Sequence, residues 1–310
     1  MLVLNTLAPV FLLIGVGAWL QRSGFVGAGF LKEANRLTYW LGLPALLFSQ
    51  LASSFHEAGE ARLMLAVMAT ATVAMIVVGY GIAWCVRVPG AAMGTFVQAA
   101  FRGNLAFIGL PIVFALPDAP LPGGVSVRAA AVVVVGPMLV FYNVGGVVVL
   151  LLSQHRLGWG MVKPFFRQLL TTPPLLATLA GIGFAMTGAT LPAAVDRTFS
   201  ALGEMALPLG LLGVGGSLMA VERRSMAAPA WVAALAKTGL SPLFGWAAAA
   251  LAGLGSAETK IVMIFMAAPT AVISYVVAME MKGDEPIAAG SIVLSVRLSI
   301  PSLAIVVAIA

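Results

Sequence analysis

Long apolar stretches recur along the whole chain. Seven windows carry no Asp, Glu, Lys or Arg, namely 1–21, 37–55, 63–86, 129–154, 168–195, 205–221 and 261–279. Three more windows, 91–117, 229–252 and 286–309, contain one basic residue each: Arg102, Lys237 and Arg297. A helix needs roughly 20 apolar residues to cross a membrane, so the pattern predicts ten transmembrane helices. The windows are apolar on all sides and lack the alternation of apolar and polar residues that is typical of strands in a transmembrane β-barrel.

The composition agrees with this pattern. Of the 310 residues, 61% are hydrophobic and 9% are charged. A soluble domain carries about 25% charged residues, so this chain cannot cover the surface of a soluble globule. The sequence therefore predicts an all-α integral membrane protein with short loops and no sizeable soluble domain.

The basic residues of the loops indicate an orientation. Odd-numbered loops hold ten Lys and Arg residues and even-numbered loops hold four. Cytoplasmic loops are enriched in Lys and Arg, so we expect the odd loops in the cytoplasm and both termini outside, in a bacterial inner membrane. The basic residues are spread over the loops, and we expect no nucleic-acid partner.

The longest loop, 153–170, divides the chain into two halves, 1–152 and 171–310, with five predicted helices each. An odd number of helices per half makes the halves enter the membrane in opposite directions, which is the arrangement of an inverted repeat. Four pairs of prolines are separated by 164 residues, and LGLPALLF around Pro44 is similar to MALPLGLL around Pro208. The sequence predicts a 5+5 inverted repeat joined by a cytoplasmic linker.

The fourth and ninth predicted helices contain helix-breaking residues. The fourth reads AAFRGNLAFIGLPIVF, with Asn104 and Pro111, and the ninth reads FMAAPTAVISYVVAMEM, with Pro269 and Thr270. Each break frees backbone groups that hydrocarbon cannot satisfy, so such backbone is buried in protein or lines a wet cavity. We expect the two broken helices to cross near the midplane and form a binding site. Simple proline kinks are the alternative.

The basic residues within the predicted spans favour an anionic ligand. Arg102, Lys237 and Arg297 have no Asp or Glu in mid-span to pair with, since Glu204 and Glu280 fall near helix ends. A charge inside the membrane usually marks a pathway or a partner. The alternative is that these long side chains extend to the membrane surface.

The remaining polar residues of the predicted spans do not decide between coupling to Na⁺ and coupling to H⁺. The lack of mid-span carboxylates argues against a proton relay through Asp or Glu, whereas sodium could bind carbonyls, Asn104 and hydroxyls. Coupling to Na⁺ or H⁺ is therefore undecided, and no metal or organic cofactor is expected. Asn143 is a further candidate for the site. No nucleotide-binding motif and no acid, base or nucleophile pair lies in the spans, so the chain is not expected to be an enzyme.

The chain resembles the auxin efflux carrier family in its short bacterial form, over its full length. In the fourth helix, NLAFIGLP carries the family's Asn followed seven residues later by Pro, at Asn104 and Pro111. In the ninth helix, APTAVISYVVAMEM is similar to the family's proline-containing crossover, with Pro269 and Glu280 at matching positions. The long central loop of the plant carriers is absent, which argues against auxin as the substrate.

The resemblance implies a dimeric secondary transporter of the bile-acid-symporter-like fold. Helices 1, 2, 6 and 7 would form a scaffold, and helices 3–5 and 8–10 a transport domain that moves as a rigid body in an elevator mechanism. The crossing helices would hold a carboxylate such as malate or malonate at Asn104, Pro111 and Pro269, with Thr270 where the family can have a larger amide. A passive anion channel and a sensory membrane module are the alternatives.

Overall fold

The computed structural model describes residues 2–54, 61–117, 126–153, 173–219 and 225–309. The α-helices within these ranges are α1 (Leu2–Arg22), α2 (Ala28–Leu37), α3 (Leu43–Ser54), α4 (Ala61–Cys85), α5 (Gly90–Phe101), α6 (Leu110–Phe114), α7 (Val127–Ser153), α8 (Pro173–Met186), α9 (Ala193–Met219), α10 (Ala228–Leu235), α11 (Ser241–Ala252), α12 (Ser256–Ala267), α13 (Ile273–Glu280) and α14 (Glu285–Ile309). The predicted linker 153–170 lies outside the described residues except for Ser153.

Five helices among the described residues are long and apolar enough to cross a membrane. Their spans are Val3–Arg22, Ala61–Cys85, Val127–Ser153, Ala193–Gly216 and Glu285–Ile309. No β-strand is present in the described ranges. The chain is therefore an all-α protein with several apolar helices, as predicted.

The remaining predicted spans contain shorter helices. Helices α2 and α3 are joined without interruption by a π-helical segment, Thr38–Gly42, and α10 and α11 are joined in the same way by Ala236–Leu240. A third π-helical segment, Leu105–Gly109, precedes α6. A π turn accommodates one extra residue in a helix, so these helices continue with a local widening.

The predicted boundary between the sixth and seventh spans is wrong. The charge-free windows end the sixth span at 195 and start the seventh at 205, whereas α8 ends at Met186 and α9 begins at Ala193. Gly188, with φ of +68°, takes the left-handed conformation that commonly ends a helix. The charged residues assigned to a loop lie on α9, and Glu204 lies in the interior of this helix, eleven residues after its start.

The helices pack in two sets. Helix α1 packs mainly on α9, and α3 packs on α8 and α9. In the second set, α5 packs on α7 and α4, α11 packs on α4 and α12, and α10 packs on α14. Contacts between the two sets are fewer and include those of α1 with α14 and of α3 with α7.

Glycines bring α1 and α9 into backbone contact. A Cβ atom at Gly17 would lie 2.0 Å from the carbonyl oxygen of Leu212, and one at Gly215 would lie 1.9 Å from the carbonyl oxygen of Ile14. Small residues allow membrane helices to approach closely and gain dispersion contacts. The helix pair therefore depends on the absence of side chains at these two positions.

We expect Gly17→Ala to destabilise the protein by about 1–3 kcal/mol, because the added methyl group forces the two backbones apart. Thermal unfolding of the purified protein in detergent measures this effect. Gly15→Ala is the matched control on the same helix, since a Cβ atom there meets nothing within 4 Å. Equal melting temperatures for the two variants would contradict the prediction.

Candidate functional site

The first break in the helices lies at residues 102–104. Helix α5 ends at Phe101, and Arg102 has the extended backbone conformation, with φ of −78° and ψ of 98°. The chain turns helical again at Leu105, where the Oδ1 atom of Asn104 accepts a hydrogen bond of 3.2 Å from the N–H of Phe107. Asparagine is a preferred residue for this capping contact, so Asn104 starts the segment that follows the break.

The second break lies at residues 268–272. Helix α12 ends at Ala267, and Pro269 follows the last hydrogen bond of the helix, from the N–H of Ala268 to the carbonyl of Ile264. Proline has no N–H to continue the ladder, and the chain is helical again from Ile273. The freed backbone groups of both breaks need other partners.

The two breaks supply these partners to each other. The N–H of Asn104 donates to the carbonyl of Pro269 at 2.7 Å, and the N–H of Ala271 donates to the carbonyl of Arg102 at 3.0 Å. Gly103 and Thr270 lie opposite each other between these bonds, in an antiparallel bridge. We call residues 102–104 and 268–272 the paired breaks.

Thr270 links the second break to two neighbouring helices by hydrogen bonds. The hydroxyl of Thr270 donates to the carbonyl of Ala99 at the end of α5, over 2.8 Å. The N–H of Thr270 donates to the hydroxyl of Ser295 on α14, over 3.0 Å. Thr270 and Ser295 are both fully buried, so these bonds form in a dry environment.

Lys237 forms a hydrogen bond at the carbonyl end of α12. It lies in the π-helical segment Ala236–Leu240 and is fully buried. Its Nζ atom donates to the carbonyl of Met266 and, over 3.3 Å, to the hydroxyl of Ser241. A cation is favourable at the carbonyl end of a helix. The Nζ atom also lies close behind Gly103, where a Cβ atom would be 3.4 Å away from it.

A cavity of about 330 Å³ adjoins the paired breaks. Its polar lining includes Arg102, Asn104 and Asn143, and most of the remaining wall is apolar. Arg102 is 3% exposed and donates to the Oδ1 atom of Asn143 through Nη2. Within the described ranges, Nη1 of Arg102 and Nδ2 of Asn104 have no hydrogen-bond partner. We call this space the first cavity.

A second cavity, of about 670 Å³, lies elsewhere between the helices. It is lined by residues of α1, α3, α6 and α9, together with Ser126 and Arg128 at the start of α7. Glu204, in the interior of α9, lines it as well. This cavity has a more polar wall than the first.

The structure brings some of the predicted site residues together and separates others. Arg102, Asn104 and Asn143 line the first cavity, whereas Pro111 lies in α6 and lines the second cavity. Pro269, Thr270 and Lys237 take part in the paired breaks or in their support. Arg297 is exposed on α14 and lines neither of these two cavities.

Gln98 is a buried polar residue beside Arg102 that the sequence pattern did not single out. Its side chain is 1% exposed, and neither amide atom has a partner in the described part of the chain. A Cβ atom at Gly146 would lie 3.1 Å from both Nε2 of Gln98 and Nη1 of Arg102, so the glycine leaves room for both side chains. The signal was available, because Gln98 precedes Arg102 by four residues and so shares its helix face.

We expect Thr270→Val to destabilise the protein by about 1–3 kcal/mol, because the carbonyl of Ala99 loses its partner in a buried site. Thermal unfolding in detergent without substrate measures the loss. Thr198→Val is the matched control, since the hydroxyl of Thr198 makes an equally short bond of 2.8 Å on an exposed surface. A Thr270 variant as stable as the control would contradict the structural role of this side chain.

A comparison with protein families gives the same class of protein as the sequence motifs. A family model described as membrane transport protein matches residues 2–158 and residues 148–307. No curated protein matches the chain significantly. Because the two matched segments together cover almost the whole length, the chain belongs to this family of membrane transport proteins, the auxin efflux carrier family.

Proposed function

We propose that this membrane transporter carries small organic anions, carboxylates such as malate or malonate among them, and that the first cavity binds the substrate. One observation carries the proposal. Arg102 is buried, lines the first cavity and has no carboxylate partner among the described residues. A buried charge without a counter-ion is costly, so a bound anion would supply the missing negative charge.

The hydrogen-bonding capacity around Arg102 supports a carboxylate as that anion. Asn143 engages Nη2 of Arg102, while Nη1 of Arg102 and Nδ2 of Asn104 are donors without a partner in the ranges described. A guanidinium group binds a carboxylate through two parallel N–H donors, and such charge-assisted bonds are stronger than neutral ones. Asn104 adds a donor from the other end of the same break.

The size and the walls of the first cavity narrow the substrate class. A volume of about 330 Å³ lies at the lower end of ligand pockets, which is about 300 Å³. Apolar side chains such as Leu139, Val272 and Val276 form much of the wall. One buried cation in an apolar cavity suits a small acid that binds Arg102 through one carboxylate. The uptake test therefore includes acids with one carboxylate and acids with two.

The packing of the helices supports an elevator mechanism. Helix α9 packs on α1 and α3, and α3 packs on α8, so these four helices form one connected set as expected of a scaffold, and the remaining membrane helices pack on each other. The first cavity is bordered by both sets, with Tyr39 and Val214 from the scaffold and Arg102 from the other set. In this proposal the second set moves with the paired breaks and the bound substrate, within two inverted halves, 1–152 and 171–310.

The charges of the loops support an orientation for this movement. Arg36 borders the first cavity and lies in the last turn of α2. The prediction from the sequence counts it in the first loop, which the excess of basic residues assigns to the cytoplasm. The first cavity then opens toward the cytoplasm of a bacterial cell, and both termini lie outside the inner membrane. Family membership favours a homodimer in the lipid bilayer.

Uptake into proteoliposomes tests the function. Labelled malate, malonate and indole-3-acetate are supplied separately, with sodium and proton gradients imposed one at a time. Saturable uptake of one acid, driven by one gradient, is the expected result and identifies both the substrate class and the coupling ion. Currents that do not saturate would favour an anion channel, and no uptake of any carboxylate by folded protein would overturn the proposal.

We expect Arg102→Ala and Asn104→Ala to weaken binding of the transported acid. The loss of a hydrogen bond to a charged group costs about 1.5–3 kcal/mol, which is roughly a ten- to hundredfold loss of affinity. Competition for uptake by unlabelled acid measures this affinity. Arg297→Ala is the matched control, because it removes an arginine that is exposed on α14. Unchanged uptake by both site variants would show that the substrate binds elsewhere.

A further inference from the structure

The two cavities come within one helical turn of each other on three different segments. Leu43, Phe107 and Val214 line the first cavity. On the same segments, Leu46, Pro111 and Leu211 line the second cavity, three or four residues away in each case. Three or four residues of helix span about 5 Å, so on each of these segments the linings of the two cavities are about one helical turn apart, and the side chains between them form the wall that separates the cavities.

Phe107 is part of this wall and lies in the segment that follows the first break. Its ring lies against Gly210 of α9, where a Cβ atom would be 2.5 Å from Cδ1 of Phe107 and 3.0 Å from its Cε1. Gly210 itself lies between Leu207, which lines the second cavity, and Val214, which lines the first. The ring therefore sits in a notch of α9 at the level where one cavity ends and the other begins.

We propose that Phe107, seated on Gly210, is the barrier residue that separates the two cavities, and that the cavities are successive parts of one path through the protein. The barrier is joined to the candidate binding residue, since the N–H of Phe107 donates to the side chain of Asn104 over 3.2 Å. This hydrogen bond ties the backbone of Phe107 to the first break. The proposal concerns the path and holds for any substrate that the first cavity accepts.

Thiol labelling from one side of the membrane tests the barrier without a substrate. The single cysteine of the chain, Cys85, is replaced by serine. Ser200→Cys then reports access to the second cavity, and Tyr39→Cys reports access to the first. Both reporters lie on the helix set that packs with α9, so movement of the other set does not carry them across the membrane. A membrane-impermeant thiol reagent is added to each side in turn.

With Phe107 present, we expect the reagent to reach the two reporters from opposite sides only. In Phe107→Ala, the Tyr39→Cys reporter reacts also from the side on which Ser200→Cys reacts, faster by about tenfold, which corresponds to about 1.4 kcal/mol of barrier. Phe96→Ala is the matched control, because Phe96 is fully buried on α5 and lines neither cavity. Labelling that stays one-sided in Phe107→Ala, or that is two-sided with Phe107 present, would overturn the proposal.

A second measurement tests the contact itself. Gly210→Ala introduces a methyl group into the space of the Phe107 ring, so we expect a lower melting temperature than for the unsubstituted protein. The same substitution in the Phe107→Ala background leaves the melting temperature unchanged, because the ring is gone. Equal effects of Gly210→Ala in both backgrounds would contradict the seating of Phe107 on this glycine. Both measurements are independent of uptake, so the barrier and the proposed substrate class fail separately.

Discussion

The structure depends on one requirement, which is that backbone polar groups within a membrane find partners inside the protein. Two helices stop part of the way through the chain's apolar segments, and each leaves N–H and carbonyl groups unused. Backbone bonds between Asn104 and Pro269 and between Ala271 and Arg102 satisfy one part of this demand. Thr270, Ser295 and Lys237 satisfy another part. The breaks are stable because they are formed as a pair.

Arg102 and Lys237 illustrate two uses of a buried cation. Lys237 donates to the carbonyl of Met266 in the last turn of α12, so its charge is balanced by the partial negative charge of a helix end. Arg102 donates to the neutral side chain of Asn143, which offers an oxygen dipole and no negative charge. In the sequence, each of these residues is the one basic side chain of an apolar window. In the structure, the surroundings compensate the positive charge of Lys237 but not that of Arg102.

The sequence predicts the positions of the two breaks, but not the exposure of Arg297, the boundary between α8 and α9 or the contact of Phe107. Pro269 and the polar run at Asn104 mark breaks because proline removes a donor and asparagine starts a helix, and both effects are local. The exposure of Arg297 depends on which face α14 turns toward its neighbours, which one apolar window does not reveal. The predicted boundary between α8 and α9 is wrong because Asp196, Arg197 and Glu204 lie on α9, whereas the prediction places charged residues in a loop. Phe107 is one of many apolar residues, and only its contact with Gly210 distinguishes it.

The π-helical segments have a consequence for the spacing of the chain. Among the described residues, Tyr39, Phe107 and Lys237 each lie in such a segment, and each lies beside the paired breaks or a cavity. A π-helical turn contains about one residue more than an α-helical turn. Deletion of one residue between 105 and 109 would therefore convert the wide turn into an ordinary α-helical turn without rotating α6. Pro111 would keep its place at the second cavity, so the extra residue adds one position beside the first cavity while the orientation of α6 stays the same.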